Sequence, residues 1–361
     1  MSPNDTYPDH IVTAIIVAHD GAEWLPRVTD AVLGQTQPIQ RIVAVDTGSH
    51  DRSGAVLADL IGPEAVFGME RDSGYGAAIE RALRHRAATA PVQPTRQGGS
   101  TWADRGWGDP PEPDDWAGPG GYHPGRASGE APTEWIWLLH DDCEPDPGAL
   151  AELLRGAAET PGAVVLGPKV RDWADGRVLL ETGLAIDTAG RRVTRIEPRE
   201  IDQGQHDGDR DVLAVGSAAM LVRRDIWDGV GGFDPGFPLF RDDMDFCWRV
   251  HAAGYRVRVV TDAVVYHVEA SARGRRETSA APHPQRADRR NALIVLLANL
   301  PLPSMVTALA GNTVLSAAKA FLFLMTKRPQ AARDEAAAMG YLLARPGLIF
   351  SARRRRRRGR R

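Results

Sequence analysis

An α/β fold built on a doubly wound, mostly parallel sheet is predicted by three features of this 361-residue sequence. Between residues 11 and 86, apolar runs alternate with stretches of helical spacing in the order β-α-β-α-β-α. Trp135-Ile136-Trp137-Leu138-Leu139 is an unbroken apolar run, the pattern of a strand buried on both faces. Acidic residues or histidines follow several of these runs directly, and open α/β sheets bind ligands at the carboxyl ends of their strands.

The elements follow in order. Residues 11–18 read as a buried strand, 24–33 as a helix, and 41–45 as a second strand ending at Asp46. A helix is expected over 53–60, a short strand over 65–69 and a third helix over 75–86. No G-x-G-x-x-G follows the first strand, so the dinucleotide-binding fingerprint is missing. Residues 90–133 hold 9 glycines and 8 prolines in 44 positions, too many for a regular element, and read as a flexible insertion. Its Trp102, Trp107 and Trp116 suggest a partner grip or a cover over a site. Order resumes at Trp135, with a helix over 147–158 and a strand over 163–166. A hairpin region over 171–195 turns at Ala174-Asp175-Gly176 and Thr188-Ala189-Gly190. Residues 212–222 suggest a strand interrupted by Gly216-Ser217, 242–253 a helix and 256–260 a strand; a further apolar strand ends at His267.

The last seventy residues differ in character. Residues 292–318 carry no charge, but Asn299, Pro301, Pro303 and Gly311 interrupt them. A membrane-spanning helix needs about 20 mostly apolar residues. Residues 304–325 are long enough but are diluted by Thr, Ser, Asn and Lys319. Helices lying in the membrane interface are the first reading, a buried or homo-oligomer surface the second and a span the third. The net charge of −3 hides an asymmetry, because eight arginines between Arg353 and Arg361 leave −11 on the rest. An acidic body argues against nucleic-acid binding through the fold itself. The arginine run suits an anionic membrane surface, with a disordered cationic tail or the end of a truncated chain as the alternatives. Cys143 and Cys247 lie far apart, with no CxxC and no secretory signal, which favours a reducing cytosolic setting.

Four strand-end motifs carry chemistry. His19-Asp20-Gly21 follows the first strand. Asp46-Thr47-Gly48-Ser49-His50-Asp51-Arg52-Ser53 follows the second; Asp51 or Ser49 would cap the next helix, while Asp46 is placed to accept from a nucleobase N–H. His140-Asp141-Asp142 crowds two carboxylates together, which is costly unless a cation sits between them. Hard oxygen ligands suit Mg²⁺ or Mn²⁺ carrying phosphate. Asp242-Asp243-Met244-Asp245 opens a helix; the macrodipole accounts for some of these acids, and at least one is expected to face a cleft as a general base. His267 ends its strand by the same rule.

Taken together and in this order, the motifs resemble those of the family-2 glycosyltransferases with the GT-A fold, over roughly residues 10 to 270. Val45-Asp46-Thr47-Gly48-Ser49 to Ser53 is similar to that family's "VDNGSTDGS" pattern. Ser73-Gly74-Tyr75-Gly76, the strand into His140-Asp141-Asp142, Gly231-Gly232-Phe233-Asp234, the Asp242 helix start and Ala253-Gly254-Tyr255-Arg256-Val257 carry the rest. The nearest likeness is to actinobacterial rhamnosyl- and galactofuranosyltransferases of cell-envelope polymers. The resemblance implies a Rossmann-like GT-A domain over 1–270; beyond it, the apolar and basic patterning suggests a helical membrane-associating region over 271–350 and an arginine-rich tail over 351–361, at the cytoplasmic face of the plasma membrane. It implies an inverting, metal-dependent transfer from a nucleoside-diphosphate sugar to a hydroxyl of a cell-envelope glycan or polyprenyl-linked acceptor. His19 and Asp20 would border the nucleotide, Asp46 bond the base, and Gly74 and Tyr75 line the same pocket. Asp141 would contact the donor sugar or ribose; Asp142 and His267 would hold Mn²⁺ or Mg²⁺; Asp243 would be the base, with Gly216 and Asp242 on the acceptor side. Two positions depart from the pattern: His140 stands where the family has the first metal-motif Asp, and Thr47 where it has Asn. Imidazole is an acceptable ligand for borderline metals, so His140 joins the metal candidates. The competing readings are a sugar nucleotidyltransferase, which would need a Gly-rich basic phosphate loop, and a catalytically weak scaffold at the membrane.

Overall fold

The structure, a computed structural model, describes residues 10–85, 132–276, 281 and 283–358. The proposed insertion, with its three tryptophans, lies outside the described residues apart from its last two positions.

Apolar runs become strands whose alternate side chains fill two separate cores. The first half of the sheet comprises β1 (His10–Ala18), β2 (Arg41–Asp46), β3 (Val66–Gly68) and β4 (Thr133–His140). These four are parallel, with β1 between β2 and β4. Ile15 and Val17 of β1, Val43 and Val45 of β2, and Ile136 and Leu138 of β4 point into one core. Ala14 and Ile16, Ile42 and Ala44, and Trp135, Trp137 and Leu139 point into the other. The period of two along each strand produces this division, and it explains why no polar face interrupts the sequence. Helices α1 (Leu25–Leu33), α2 (Ser53–Ile61) and α4 (Ala149–Glu159) cover the second face. On the first face lie α3 (Tyr75–Arg84), α5 (Arg224–Val230) and α6 (Asp242–Ala252).

The rest of the sheet contains β5 (Cys143–Pro145), β6 (Ala163–Asp172), β7 (Leu179–Glu181), β10 (Arg210–Asp211), β11 (Met220–Arg223) and β12 (Arg256–His267). The continuous strand order is β10-β12-β6-β11-β4-β1-β2-β3, with β5 on β12 and β7 on β6. Strand β11 runs antiparallel to both β4 and β6, whereas β12 and β6 are parallel. The sheet is therefore mixed but mostly parallel. A separate hairpin joins β8 (Ala185–Ile186) and β9 (Arg192–Val193), and it contains the turn expected at Thr188-Ala189-Gly190.

Two sequence expectations are corrected here. Only Met220–Arg223 of the strand expected over 212–222 pairs with the sheet. The stretch before it crosses toward β7, where Ala214 bridges Leu184 and the Gly216 N–H donates to Glu181. The strands expected at 256–260 and before His267 are one strand, β12, with a bulge between Val260 and Val264. The bulge takes Thr261 out of the ladder, and its N–H donates to the Asp209 carboxylate.

Four helices complete the chain: α7 (Pro284–Asn299), α8 (Leu302–Met325), α9 (Pro329–Ala344) and α10 (Pro346–Arg358). The prolines divide the uncharged stretch as expected, but α7 is not a surface helix. Its Leu293, Val295 and Leu297 are buried in the same core as the first face of the sheet. Among the described residues, α8 is the one helix long and apolar enough to cross a membrane. It leaves Leu302, Val306, Val314, Phe321, Leu322 and Leu324 exposed. The arginine run is partly internal, contrary to a wholly free tail. Arg353 Nη1 donates to the carbonyls of Leu297, Ala298 and Leu300 at the end of α7, and Arg356 pairs with the buried Asp245 of α6. Orphan carbonyls at a helix end are natural acceptors for arginine.

Candidate active site

The carboxyl ends of β1, β4 and β12 meet the start of α6 around one cavity of about 210 Å³. His19, Tyr75, His140, Asp141, Asp142, Gly216, Asp242, Asp243 and His267 all line it. Nine candidates from distant parts of the sequence are thus brought together: His19, His140, Asp141, Asp142 and His267 at strand ends, Tyr75, Asp242 and Asp243 at helix starts, and Gly216 in a loop. Three are not in that lining. Asp20 borders an adjoining depression with His50, Arg71 and Arg276. Gly74 lies behind the wall, where its missing side chain matters: a Cβ there would stand 2.6 Å from the Pro238 backbone. The Asp46 carboxylate turns back to accept from the Ser49 N–H (3.0 Å) and hydroxyl (2.5 Å), closing its own loop. Asp51 accepts from the Ser53 N–H at 2.9 Å at the start of α2, the local structural use expected for it.

The cluster at the end of β4 divides into two functions. Asp141, 1% exposed, accepts from the His19 N–H (2.7 Å) and from Arg276 Nη1 at 2.7 and 2.8 Å. Gly21 permits this approach, since a Cβ on it would lie 2.2 Å from Asp141 Oδ2. Asp142 is fully buried, and the same Arg276 stands 3.7 Å from its Oδ1. Asp142 Oδ1 also lies 3.0 Å from His267 Nε2, and Oδ2 accepts from the Ala270 N–H at 2.8 Å. Burial would raise this carboxyl, but the His267 ring and the Arg276 guanidinium outweigh it and hold Asp142 well below the usual carboxylate range. His267 moves oppositely: burial would lower it, and Asp142 raises it.

His140 Nδ1 stands 4.0 Å from Asp142 Oδ1, and its Nε2 lies 3.0 Å from the Ser217 hydroxyl. Burial, reinforced by His267, lowers His140 to about 3, so the imidazole is neutral, the form that binds metal. One donor atom from each of His140, Asp142 and His267 falls within 4.8 Å of the others. Two imidazoles and a carboxylate form a donor set for a divalent transition metal, and these residues fit one. The Tyr75 ring meets His140 edge-on at 4.8 Å, and its buried hydroxyl has no partner among the described residues, leaving a polar group free for a ligand.

Across the cavity, Asp243 is 3% exposed. Its Oδ1 accepts from the Met244 N–H (2.7 Å) and its Oδ2 from Arg192 Nη2 (2.6 Å). Burial, then the neighbouring Asp243, pushes Asp242 up to about 7; burial likewise raises Glu181 to about 7. The third acid, Asp245, is not part of the cavity. It lies beneath α6, between Arg249 and Arg356. In the adjoining depression, burial would raise Asp20, but Arg71 and the His50 N–H outweigh it and hold the carboxyl at about 2. Arg71, Glu181, Arg192 and Arg276 were absent from the sequence reading. All four lie in loops or short strands whose pairing is set by tertiary folding, and no periodic signal marks them.

Residues 13–90 match the family described as glycosyl transferase family 2, and residues 120–286 match the glycosyltransferase-like family 2 description. A relative from Mycobacterium tuberculosis, N-acetylglucosaminyl-diphospho-decaprenol L-rhamnosyltransferase, is 30% identical over 284 residues, covering 73% of this chain and 78% of the relative. Pre-mycofactocin glycosyltransferase from the same organism is 28% identical over 138 residues, 37% of this chain and 27% of that one. Among solved structures, S. aureus TarS 1–349 in complex with UDP-GlcNAc superposes with a TM-score of 0.52 at 11% identity, over 97% of this chain and 89% of TarS 1–349. That last likeness concerns the fold. With the family matches and the mycobacterial relative, the strand-end site identifies the chain as a member of glycosyltransferase family 2, an enzyme of the GT-A fold.

Proposed function

We propose that the protein transfers a sugar from a nucleoside-diphosphate donor to a hydroxyl of a polyprenyl-linked cell-envelope acceptor, with inversion at the anomeric carbon. The observation that carries this reading is one cavity with the His140–Asp142–His267 donor set on one wall and the Asp243 carboxylate on another. The mycobacterial relative's name supplies the acceptor class.

His19 and the adjoining Asp20–Arg71 rim border the nucleotide, and Asp141 and Tyr75 contact the donor at the cavity floor. Bound Mn²⁺ or Mg²⁺, held by His140, Asp142 and His267, would supply charge neutralisation of the departing diphosphate. Arg276 adds a fixed positive charge at the same wall. Asp243 accepts the proton of the acceptor hydroxyl as that oxygen attacks the anomeric carbon from the face opposite the diphosphate. Gly216 and Asp242 shape the acceptor side. The exposed apolar face of α8 rests on the cytoplasmic leaflet, bringing the cavity to a lipid-borne acceptor.

The reading is tested by a thermal-shift screen against UDP-, dTDP- and GDP-sugars with and without Mn²⁺, followed by transfer with the stabilising donor. Asp243→Asn should abolish transfer while still binding donor. Wild-type turnover in that variant would remove Asp243 from the role, and the absence of any nucleotide-dependent shift would leave an inactive scaffold.

A further inference from the structure

We propose that Arg192 is the receptor for the acceptor's diphosphate, so that this site selects sugars carried on a lipid diphosphate and uses that anion to free its own base. The proposal rests on the polyprenyl-linked acceptor reading above.

Arg192 begins β9, in the short β8–β9 hairpin, lines the cavity and donates to Asp243 there. Arg192 Nη2 occupies Asp243 Oδ2 at 2.6 Å and the Met244 N–H occupies Oδ1 at 2.7 Å, so an incoming hydroxyl must compete with these donors for the carboxylate. A second anion with stronger demand for the guanidinium would resolve this conflict. A diphosphate is such an anion, since arginine's planar fork matches phosphate oxygens bidentately.

The surroundings indicate where that diphosphate would come from. The hairpin turn is fastened to the C-terminal helices: Asn312 Nδ2 of α8 donates to the Thr188 carbonyl at 3.0 Å, and Arg289 of α7 donates to the Ala189 carbonyl. The same hairpin thus touches the Asp243 carboxylate through Arg192 and, through its turn, a helix with exposed Val306, Val314 and Phe321. A lipid-diphosphate sugar likewise carries its diphosphate between the reactive sugar hydroxyl and the hydrocarbon chain. When Arg192 moves to the diphosphate, Asp243 loses its counter-charge at the moment the hydroxyl arrives. The transfer of the guanidinium thereby couples acceptor recognition to base release.

The test compares two acceptors of identical sugar and lipid, one joined through a diphosphate and the other as the neutral glycoside of the lipid alcohol. In the wild type, kcat/KM should favour the diphosphate acceptor at least roughly tenfold. The ratio should fall to near one in Arg192→Ala and recover partly in Arg192→Lys, with the lost preference appearing in kcat as well as in KM. Because it is a ratio, damage shared by both acceptors cancels. An Arg192→Ala ratio equal to the wild type's would overturn the proposal while leaving the acceptor reading standing. Transfer by the wild-type enzyme to neither lipid would overturn both.

Discussion

The turn entering α6 is held in place by a helix more than forty residues downstream, and removing Asp288 should expose that dependence. Phe240 and Arg241 adopt φ values of +65° and +70°, left-handed conformations that cost a non-glycine residue about 1–3 kcal/mol each. They persist because α7 grips the turn. Asp288 takes the Arg241 guanidinium at 2.6 and 2.9 Å, and Asn291 Nδ2 donates to the carbonyls of Leu239 and Phe240 at 2.9 and 3.1 Å. Asp288→Ala strips the counter-charge from an arginine side chain only 7% exposed. Breaking a fully buried pair costs about 3–5 kcal/mol. The Asp288 side chain is 41% exposed, so water already shares the interaction and about 2–3 kcal/mol is expected. With about 2.1 cal/mol/K of unfolding entropy per residue, this corresponds to a fall of about 3 °C in Tm for 361 residues. Relaxation of the turn would also move Asp242 and Asp243, and a shift of about 1 Å in a reacting group can cost about 100-fold in rate. Differential scanning fluorimetry and steady-state transfer assays would report both effects. An unchanged Tm with an unchanged kcat would refute the argument that α7 positions the proposed base Asp243 and its neighbour Asp242. Phe240→Gly should act in the opposite direction on stability, because glycine adopts this φ without strain.

Other expectations follow from the charged groups around the cavity. Glu181 moves from an ordinary value of 4.5 to about 7 in the fold, so between those pH values the native state holds a proton that the unfolded chain has released. Stability should therefore fall as pH rises through that window, by roughly 3 kcal/mol at most from this group. Glu181→Gln keeps an acceptor for the Gly216 N–H and removes the titration; urea denaturation at pH 5 and 8 should show a flatter dependence, and an unaltered slope would sink the assignment. Asp245→Asn would leave Arg249 and Arg356 facing a neutral amide at a fully buried position, costing about 3–5 kcal/mol. Arg356→Leu in the same background should recover part of that loss, and no recovery would mean that the arginine run contributes nothing there. Mn²⁺ at about 100 times its Kd should add about 2.7 kcal/mol of stability, reversibly with EDTA. His267→Ala and Asp142→Asn should each abolish the gain, and its survival in either would place the metal elsewhere.

Strands β1, β2 and β4 were legible because burial on both faces requires unbroken apolar runs, and their ends located the candidate residues without any knowledge of contacts. His140, Asp142 and His267 each follow such a run, the family resemblance groups Asp142 and His267 as metal ligands with His140 beside them, and the fold brings their donor atoms within 4.8 Å. The bulge that makes β12 one strand, and the crossing of residues 212–219 toward Glu181, could not be read in this way. Both depend on pairing partners distant in sequence.

The opening apolar run into His140-Asp141-Asp142 was determined by local sequence alone: where a buried strand ends, polar side chains must emerge into a crevice. Only the tertiary structure decided the partners of the two adjacent carboxylates: Arg276 bonds Asp141 and stands 3.7 Å from Asp142, which pairs also with His267. Likewise only it decided that Asp243 is shared with Arg192 and that part of the arginine run is spent inside the fold. Hydrophobic periodicity is a property of neighbours in the chain, whereas an ion pair is chosen among all the charges that folding brings within reach.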